Sequence, residues 1–184
     1  CIGEMMSSFD LTSIYVANGI GAVLLCILLM SNVWRLRERR AESIYLIAMM
    51  VATLLNCIVD PLVYTLDGME GGLYRILNYA GNTWLYIGTL AASYTWVSFV
   101  ECHMNGSISK KHSVVLKIIV AICTIGLVVN LFYPMVFDVN DKNVYVRKSM
   151  YMGYLAVNYG LLVDAIVVYL RSKGRGGLIK YFPV

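Results

Sequence analysis

Five long, mostly apolar runs constrain this chain more than any other feature. They cover residues 11–33, 43–66, 78–100, 113–133 and 150–170. A run of about twenty apolar residues, wound as an α-helix, matches the ~30 Å hydrocarbon core of a bilayer. The sequence therefore predicts an all-α, polytopic transmembrane helical bundle of about five spans. It forms a single domain over residues 1–184, and we expect the natural chain to be longer.

The composition agrees with a lipid environment. Hydrophobic residues make up 59% of the chain and charged residues only 14%, which is far from the balance of a soluble domain. The net charge of +4 comes from residues that lie mostly in the short connections, so we expect membrane lipid and not nucleic acid as a partner. The five cysteines show no CxxC spacing, and we predict neither a metal nor a cofactor.

The distribution of basic residues predicts the orientation. Alternate connections carry ten basic residues on one side and four on the other. The ten are Arg35, Arg37, Arg39, Arg40, Lys110, Lys111, Arg171, Lys173, Arg175 and Lys180; the four are Arg75, Lys142, Arg147 and Lys148. By the positive-inside rule, the N-terminus lies outside and the C-terminus in the cytoplasm.

The second run contains an acid in an unusual place. Asp60 directly precedes Pro61, and Asn56 lies one turn earlier on the same helical face. An acid within a membrane span typically faces the bundle interior or a wet cavity and belongs to an ion path, a proton relay or a ligand site. The alternative is that Asp60 lies near the outer interface and simply reaches headgroup water.

The third run carries a polar stripe formed by Asn78, Asn82, Tyr86, Thr89 and Ser93. Their spacings of four, four, three and four place them on one helical face. One hypothesis is that Asn78, Asn82 and Tyr86 line an outward-opening ligand pocket together with Asn56 and Asp60. The alternative is that the stripe only forms hydrogen bonds between helices.

Three further ionisable residues need an interpretation. Asp164 lies in the fifth run, where we expect it to pair with Lys117 or Arg171 or to stay protonated. His103 and His112 flank a short polar link and are interpreted as solvated loop histidines. No Walker loop, HExxH or GxSxG motif occurs, so no enzymatic activity is predicted within these residues.

The connection before the fifth run carries a resemblance. Residues 137–147 read FDVNDKNVYVR and are followed by Tyr151, and this stretch resembles the N-terminal membrane domains of clostridial-type diguanylate cyclases, the GGDEF proteins. The resemblance extends to the multi-span organisation and covers most of the chain. It implies an input module for a cytoplasmic cyclase domain, and no cyclase residue occurs in this sequence.

The function expected from these features is that of a membrane sensor domain in the bacterial cytoplasmic membrane. Its ligand would be a small molecule or a peptide, and its output a C-terminal diguanylate cyclase. Two alternatives stay open, a small secondary transporter that uses Asp60 or Asp164 and the sensor region of a peptide-sensing histidine kinase. Whether the chain forms a homodimer is also open.

Overall fold

The computed structural model describes residues 2–32, with side chains from Leu11 onward, and residues 41–173. Within these residues the chain forms five helices and one two-stranded sheet. The helices are α1 (Ile2–Asn32), α2 (Ala41–Leu66), α3 (Gly72–Asn105), α4 (Lys110–Asn130) and α5 (Tyr151–Lys173), and the strands are β1 (Phe137–Val139) and β2 (Tyr145–Arg147). The predicted helical bundle is confirmed. Val33 and the basic residues at 35–40 and 175–180 lie outside the described residues.

Among the described helices, four are long and apolar enough to cross a membrane: Leu11–Asn32, Ala41–Leu66, Lys110–Asn130 and Tyr151–Lys173. The remaining described helix, α3, is less apolar than these four because it carries the polar stripe. Nevertheless, α3 is 34 residues long, about 51 Å at 1.5 Å per residue. Short connections of five and four residues join it to α2 and α4. It therefore has the length and the connections to cross the same layer as they do. In its polar stripe Asn78, Asn82 and Ser93 are buried, Tyr86 is half-buried and Thr89 is exposed.

Side-chain pairs show that consecutive helices run antiparallel. Along the α2–α3 interface Val63 lies opposite Gly81 and Asn56 opposite Gly88, so residue numbers rise on one helix as they fall on the other. Along the α3–α5 interface the residue numbers instead rise together, since Tyr86 lies beside Tyr154 and Asn105 beside Ser172. One end of the bundle thus holds the strands and the start of α5, and we call it the hairpin end. The other, called the link end, holds the α3–α4 connection.

The two strands form an antiparallel hairpin over one end of the bundle. Phe137 pairs with Arg147, and Val139 pairs with Tyr145. Phe137 is fully buried and stacks on the ring of Tyr86 at 5.2 Å between centroids. The sequence indicated only a connection here, because three-residue strands give too little periodicity to recognise. The hairpin packs on α3 and covers part of its N-terminal half.

Two buried asparagines fasten the hairpin. The amide oxygen of Asn130 accepts the backbone N–H groups of Met135 and Val136, both at 2.7 Å, and its amide nitrogen donates to the carbonyl of Phe137. Asn143 adopts a left-handed conformation with φ 55°. Its side chain donates to the carbonyl of Leu66 at 2.7 Å and to that of Met69 at 2.9 Å. The hairpin is therefore held to both α4 and the α2–α3 turn.

Candidate functional site

A cavity of about 680 Å³ lies beneath the hairpin, between α2, α3 and α5. This volume falls within the ~300–1,000 Å³ range of small-ligand sites. The wall is formed by α2, the α2–α3 turn, α3, β2 and α5. It is lined by Asp60, Val63, Tyr64, Asp67, Asn82, Leu85, Tyr86, Thr89, Tyr145, Val146, Arg147, Tyr151, Tyr154, Leu155 and Asn158. The cavity is thus mainly aromatic and aliphatic, with a few polar and charged groups.

Asp60 is the acid that α2 places in this wall. It is partly buried, and Oδ2 accepts a hydrogen bond from the side-chain amide of Asn18 on α1 at 2.9 Å. Among the described residues, no Lys, Arg or His forms an ion pair with Asp60. The helix α2 continues through Pro61, so this acid stands on a continuous helix and its carboxylate is held by a neutral partner.

Tyrosines of three segments join into one wall. The hydroxyls of Tyr86 and Tyr145 form a hydrogen bond at 2.7 Å, and the hydroxyl of Tyr154 donates to the backbone carbonyl of Tyr86 at 2.6 Å. The rings of Tyr86 and Tyr154 meet edge to face at 4.9 Å between centroids. Because the hydroxyls bond within the protein, these residues offer the cavity largely aromatic surface.

Arg147 brings a positive charge to the same cavity from the end of β2. Its guanidinium lies over the ring of Tyr151, 4.6 Å from the centroid, a cation–π arrangement. No acid of the described residues forms an ion pair with it. The cavity wall therefore holds two acids, Asp60 and Asp67, and one base, Arg147. Asp67 accepts hydrogen bonds from the Asn78 side chain and the Tyr145 backbone N–H, and none of the three forms an ion pair within the described chain.

The residues predicted for the pocket divide into two groups. Asp60, Asn82 and Tyr86 line the cavity together. Asn82 donates to the backbone and side-chain oxygens of Asn78, and its own amide oxygen accepts no hydrogen bond from the described residues.

The other two residues do not line the cavity. Asn78 is fully buried and donates to the side chains of Asp67 and Asn143, which makes it part of the hairpin attachment. Asn56 packs against α3 at Gly88, and its amide oxygen is buried without a partner. These two asparagines therefore contact neighbouring structural elements, as the alternative hypothesis expects, and do not form part of the pocket wall.

Asp164 lies at the link end, and its expected pairing with Lys117 or Arg171 is wrong. Its Oδ2 lies 2.7 Å from Nε2 of His112, whose Nδ1 lies 2.6 Å from Oε2 of Glu101. The interpretation of His112 as a solvated loop histidine is also wrong, because these two acids enclose its ring. His103 does stay largely exposed, 3.4 Å from Glu42. No group of His, Cys, Asp or Glu in the described residues has the geometry to hold a metal.

Several cavity residues were not selected from the sequence. Tyr151, Tyr154 and Asn158 on α5 follow spacings of three and four, the pattern of a single helical face. That face was a usable signal, as strong as the stripe on α3. Tyr145, Arg147 and Tyr151 belong to the stretch that carries the resemblance to cyclase membrane domains, and all three line the cavity.

No family model, curated protein or solved structure matches this chain. The fold itself defines the class: the chain is a multi-pass helical membrane protein. Its distinguishing feature is a cavity at one end of the bundle, covered by a hairpin and lined by unpaired charges of both signs.

Proposed function

We propose that this chain is the membrane sensor domain of a bacterial signalling protein and that it binds a small molecule or peptide in the cavity beneath the hairpin. The output would be a cytoplasmic diguanylate cyclase in the natural protein, as the resemblance implies. The observation that carries the proposal is the cavity itself, because α5 supplies one of its walls and also leads toward the predicted cytoplasmic side. A ligand in this place contacts the helix that would reach the output domain.

The contacts of α5 suggest how a signal would travel. Near its start, Tyr154 is bonded to α3 and Tyr151, Leu155 and Asn158 face the cavity. Toward its end, Asp164 is bonded to His112, and Ser172 donates to the side chain of Asn105 at 2.9 Å. A shift of α5 at the cavity would therefore change contacts at the link end. A ligand drives such a shift only if it binds the two helix arrangements with different affinity.

The proposal is tested in the natural full-length gene. Its coding sequence beyond Val184 is read first, and a GGDEF domain there supports the sensor function. Cyclic di-GMP is then measured in cells expressing Leu155→Trp, which fills the cavity. The matched control is Leu162→Trp, which places the same change on an exposed position of α5. We expect output to change only with Leu155→Trp. An unchanged output from a folded Leu155→Trp protein would rule the cavity out as the sensing site.

Transport is a second candidate, favoured by Asp60, whose carboxylate meets no cation in the described chain although it stands on a membrane-crossing helix. Proton- or sodium-coupled transporters place acids in this manner. Transport would be established if proteoliposomes containing the protein take up a solute together with protons or sodium, and if Asp60→Asn abolishes this uptake. A histidine kinase domain beyond Val184 would instead keep the sensor function and change only its output.

A further inference from the structure

The chemistry of the cavity wall restricts what can bind there, provided that the proposed sensor function holds. Asp60 and Arg147 carry opposite charges and line the same cavity, yet no ion pair of the described residues joins them. Asp67, the second acid of the wall, is already bonded to Asn78 and to the backbone N–H of Tyr145. An unpaired carboxylate in a membrane protein is costly. A ligand with complementary charges would satisfy both groups.

The two charges occupy different parts of the wall. Asp60 precedes the end of α2 at Leu66 by six residues, about 9 Å along the helix axis. Arg147 ends the second strand of the hairpin that covers this end. A ligand that meets both groups would therefore extend along the cavity, with one charged group toward α2 and the other toward the hairpin.

The remaining surface of the cavity is suited to an apolar or aromatic body. Tyr86 and Tyr154 present rings whose hydroxyls are bonded within the protein, and Leu155 and Val63 add aliphatic surface. In the same wall, the amide oxygen of Asn82 is an additional acceptor. Asp60 already accepts one hydrogen bond, from Asn18, but a carboxylate has further acceptor sites, and together with an amide oxygen it favours a protonated amine.

We infer that the cavity binds an amphoteric small molecule. Its protonated amine would be held by Asp60 and Asn82, its carboxylate or phosphate by Arg147, and its apolar or aromatic body by the tyrosine wall. The volume of about 680 Å³ suits one free amino acid or a peptide of two or three residues. The ammonium and phosphate of a phosphatidylethanolamine headgroup have the same chemistry.

The test uses three matched peptides with the purified chain in detergent micelles. The free tripeptide Gly-Phe-Gly carries both charges, its N-acetylated form lacks the ammonium, and its C-terminal amide lacks the carboxylate. Isothermal titration calorimetry measures each dissociation constant. We expect each blocked peptide to bind about tenfold more weakly than the free one, the usual loss when one charge-assisted hydrogen-bonded contact is removed.

Two variants assign each charge to its residue. Asp60→Asn should remove the preference for a free amine and keep the preference for a free carboxylate, and Arg147→Gln should do the reverse. Asp141→Asn and Lys142→Gln, which change the same kinds of charge at exposed positions of the hairpin turn, should keep both preferences. Asn at position 60 can still accept the hydrogen bond from Asn18, so the variant is expected to fold.

Nanodiscs then separate the two sources of this chemistry. Binding of the free tripeptide is compared in discs of phosphatidylethanolamine and of phosphatidylglycerol, which lacks the amine. Weaker binding only in phosphatidylethanolamine identifies the headgroup as the occupant, and equal binding identifies a soluble ligand. Both results support an amphoteric site.

The inference is overturned if the three peptides bind equally, if none of them binds, or if the variants do not remove the preferences selectively. Such a result would leave the sensor proposal standing whenever Leu155→Trp still changes the output. Conversely, charge-selective binding together with an unchanged output would overturn the sensor proposal and keep the ligand class.

Discussion

The cavity wall at the hairpin end and the side-chain cluster at the link end treat their ionisable residues in opposite ways. At the hairpin end, Asp60 and Arg147 line one cavity and neither forms an ion pair in the described chain. At the link end, Glu101 and Asp164 both form ion pairs with His112. A protein gains nothing in stability from unpaired charges at a cavity. The comparison therefore agrees with the proposed binding at the hairpin end and with a structural role for the cluster at the link end.

The support at the link end depends on His112. Both ring nitrogens face carboxylate oxygens, and because a carboxylate only accepts hydrogen bonds, the doubly protonated ring satisfies both contacts. Glu101 is buried and also accepts the backbone N–H of Ser109 at 3.1 Å. Since Glu101, His112 and Asp164 stand on α3, α4 and α5 respectively, one imidazolium joins three helices.

The largest effect is expected from His112→Ala. It would leave two carboxylates without their shared cation, a loss of about 2–3 kcal/mol in the free energy of unfolding, below the value for a fully buried pair because Asp164 is 37% exposed. Unfolding in mixed micelles of dodecyl maltoside and SDS measures it. The matched control is His103→Ala, whose exposed contact with Glu42 should contribute less than about 0.5 kcal/mol. Equal losses in the two variants would remove the distinction between the ends.

A loss of about 2 kcal/mol is expected from Asn130→Ala at the hairpin end. The change removes the acceptor of the Met135 and Val136 N–H groups, and unsatisfied buried groups cost ~1–3 kcal/mol each. The hairpin should loosen, so limited proteolysis should cut within residues 133–149 while the link end stays protected. Asn140→Ala, which removes bonds only within the exposed hairpin turn, is the control. Unaltered proteolysis of Asn130→Ala would show that other contacts hold the hairpin.

A loss of stability is also expected from Gly88→Ala, at a point where α2 closely approaches α3. A Cβ at Gly88 would clash with the side chain of Asn56, so Gly88→Ala should destabilise the protein by about 1–2 kcal/mol. Gly126→Ala on α4 has no atom within 4 Å of the added Cβ and should stabilise the helix slightly. Thermal unfolding in detergent compares them. A stabilising Gly88→Ala would indicate that the helices separate easily here.

The sequence predicts the five helices well, and four of them as candidate spans, because the signal of each is local. Each run of apolar residues is itself long enough to cross a bilayer, so α2 at 43–66 required no knowledge of its neighbours. The cluster at His112 was missed because its acids lie 11 and 52 residues away, on other helices. The alternation of the spans already placed Glu101, His112 and Asp164 near one side of the membrane, but helical periodicity within one run cannot show which faces meet.

The candidate site was predicted only in part for a related reason. Periodicity placed Asn78, Asn82 and Tyr86 on one face of α3, and that face does turn inward. It could not show where the hairpin ends and the cavity begins along the face. As a result Asn78 holds Asn143 of the hairpin turn, while Asn82, one turn deeper, lines the cavity.

The smallest effect is expected from Asp141→Asn, at the rim of the hairpin end. Asp141 pairs with Arg75 at 3.2 Å, but its side chain is 97% exposed, and exposed pairs contribute about 0–1 kcal/mol. We expect a change below about 0.5 kcal/mol in the free energy of unfolding. Arg75→Gln should cost more, because the guanidinium also donates to the carbonyl of Val139 at 3.0 and 3.2 Å. If Asp141→Asn matched Arg75→Gln, the ion pair and not the carbonyl contact would hold Arg75. The hairpin end would then also depend on a paired charge, and the contrast with the link end would be confined to the cavity wall.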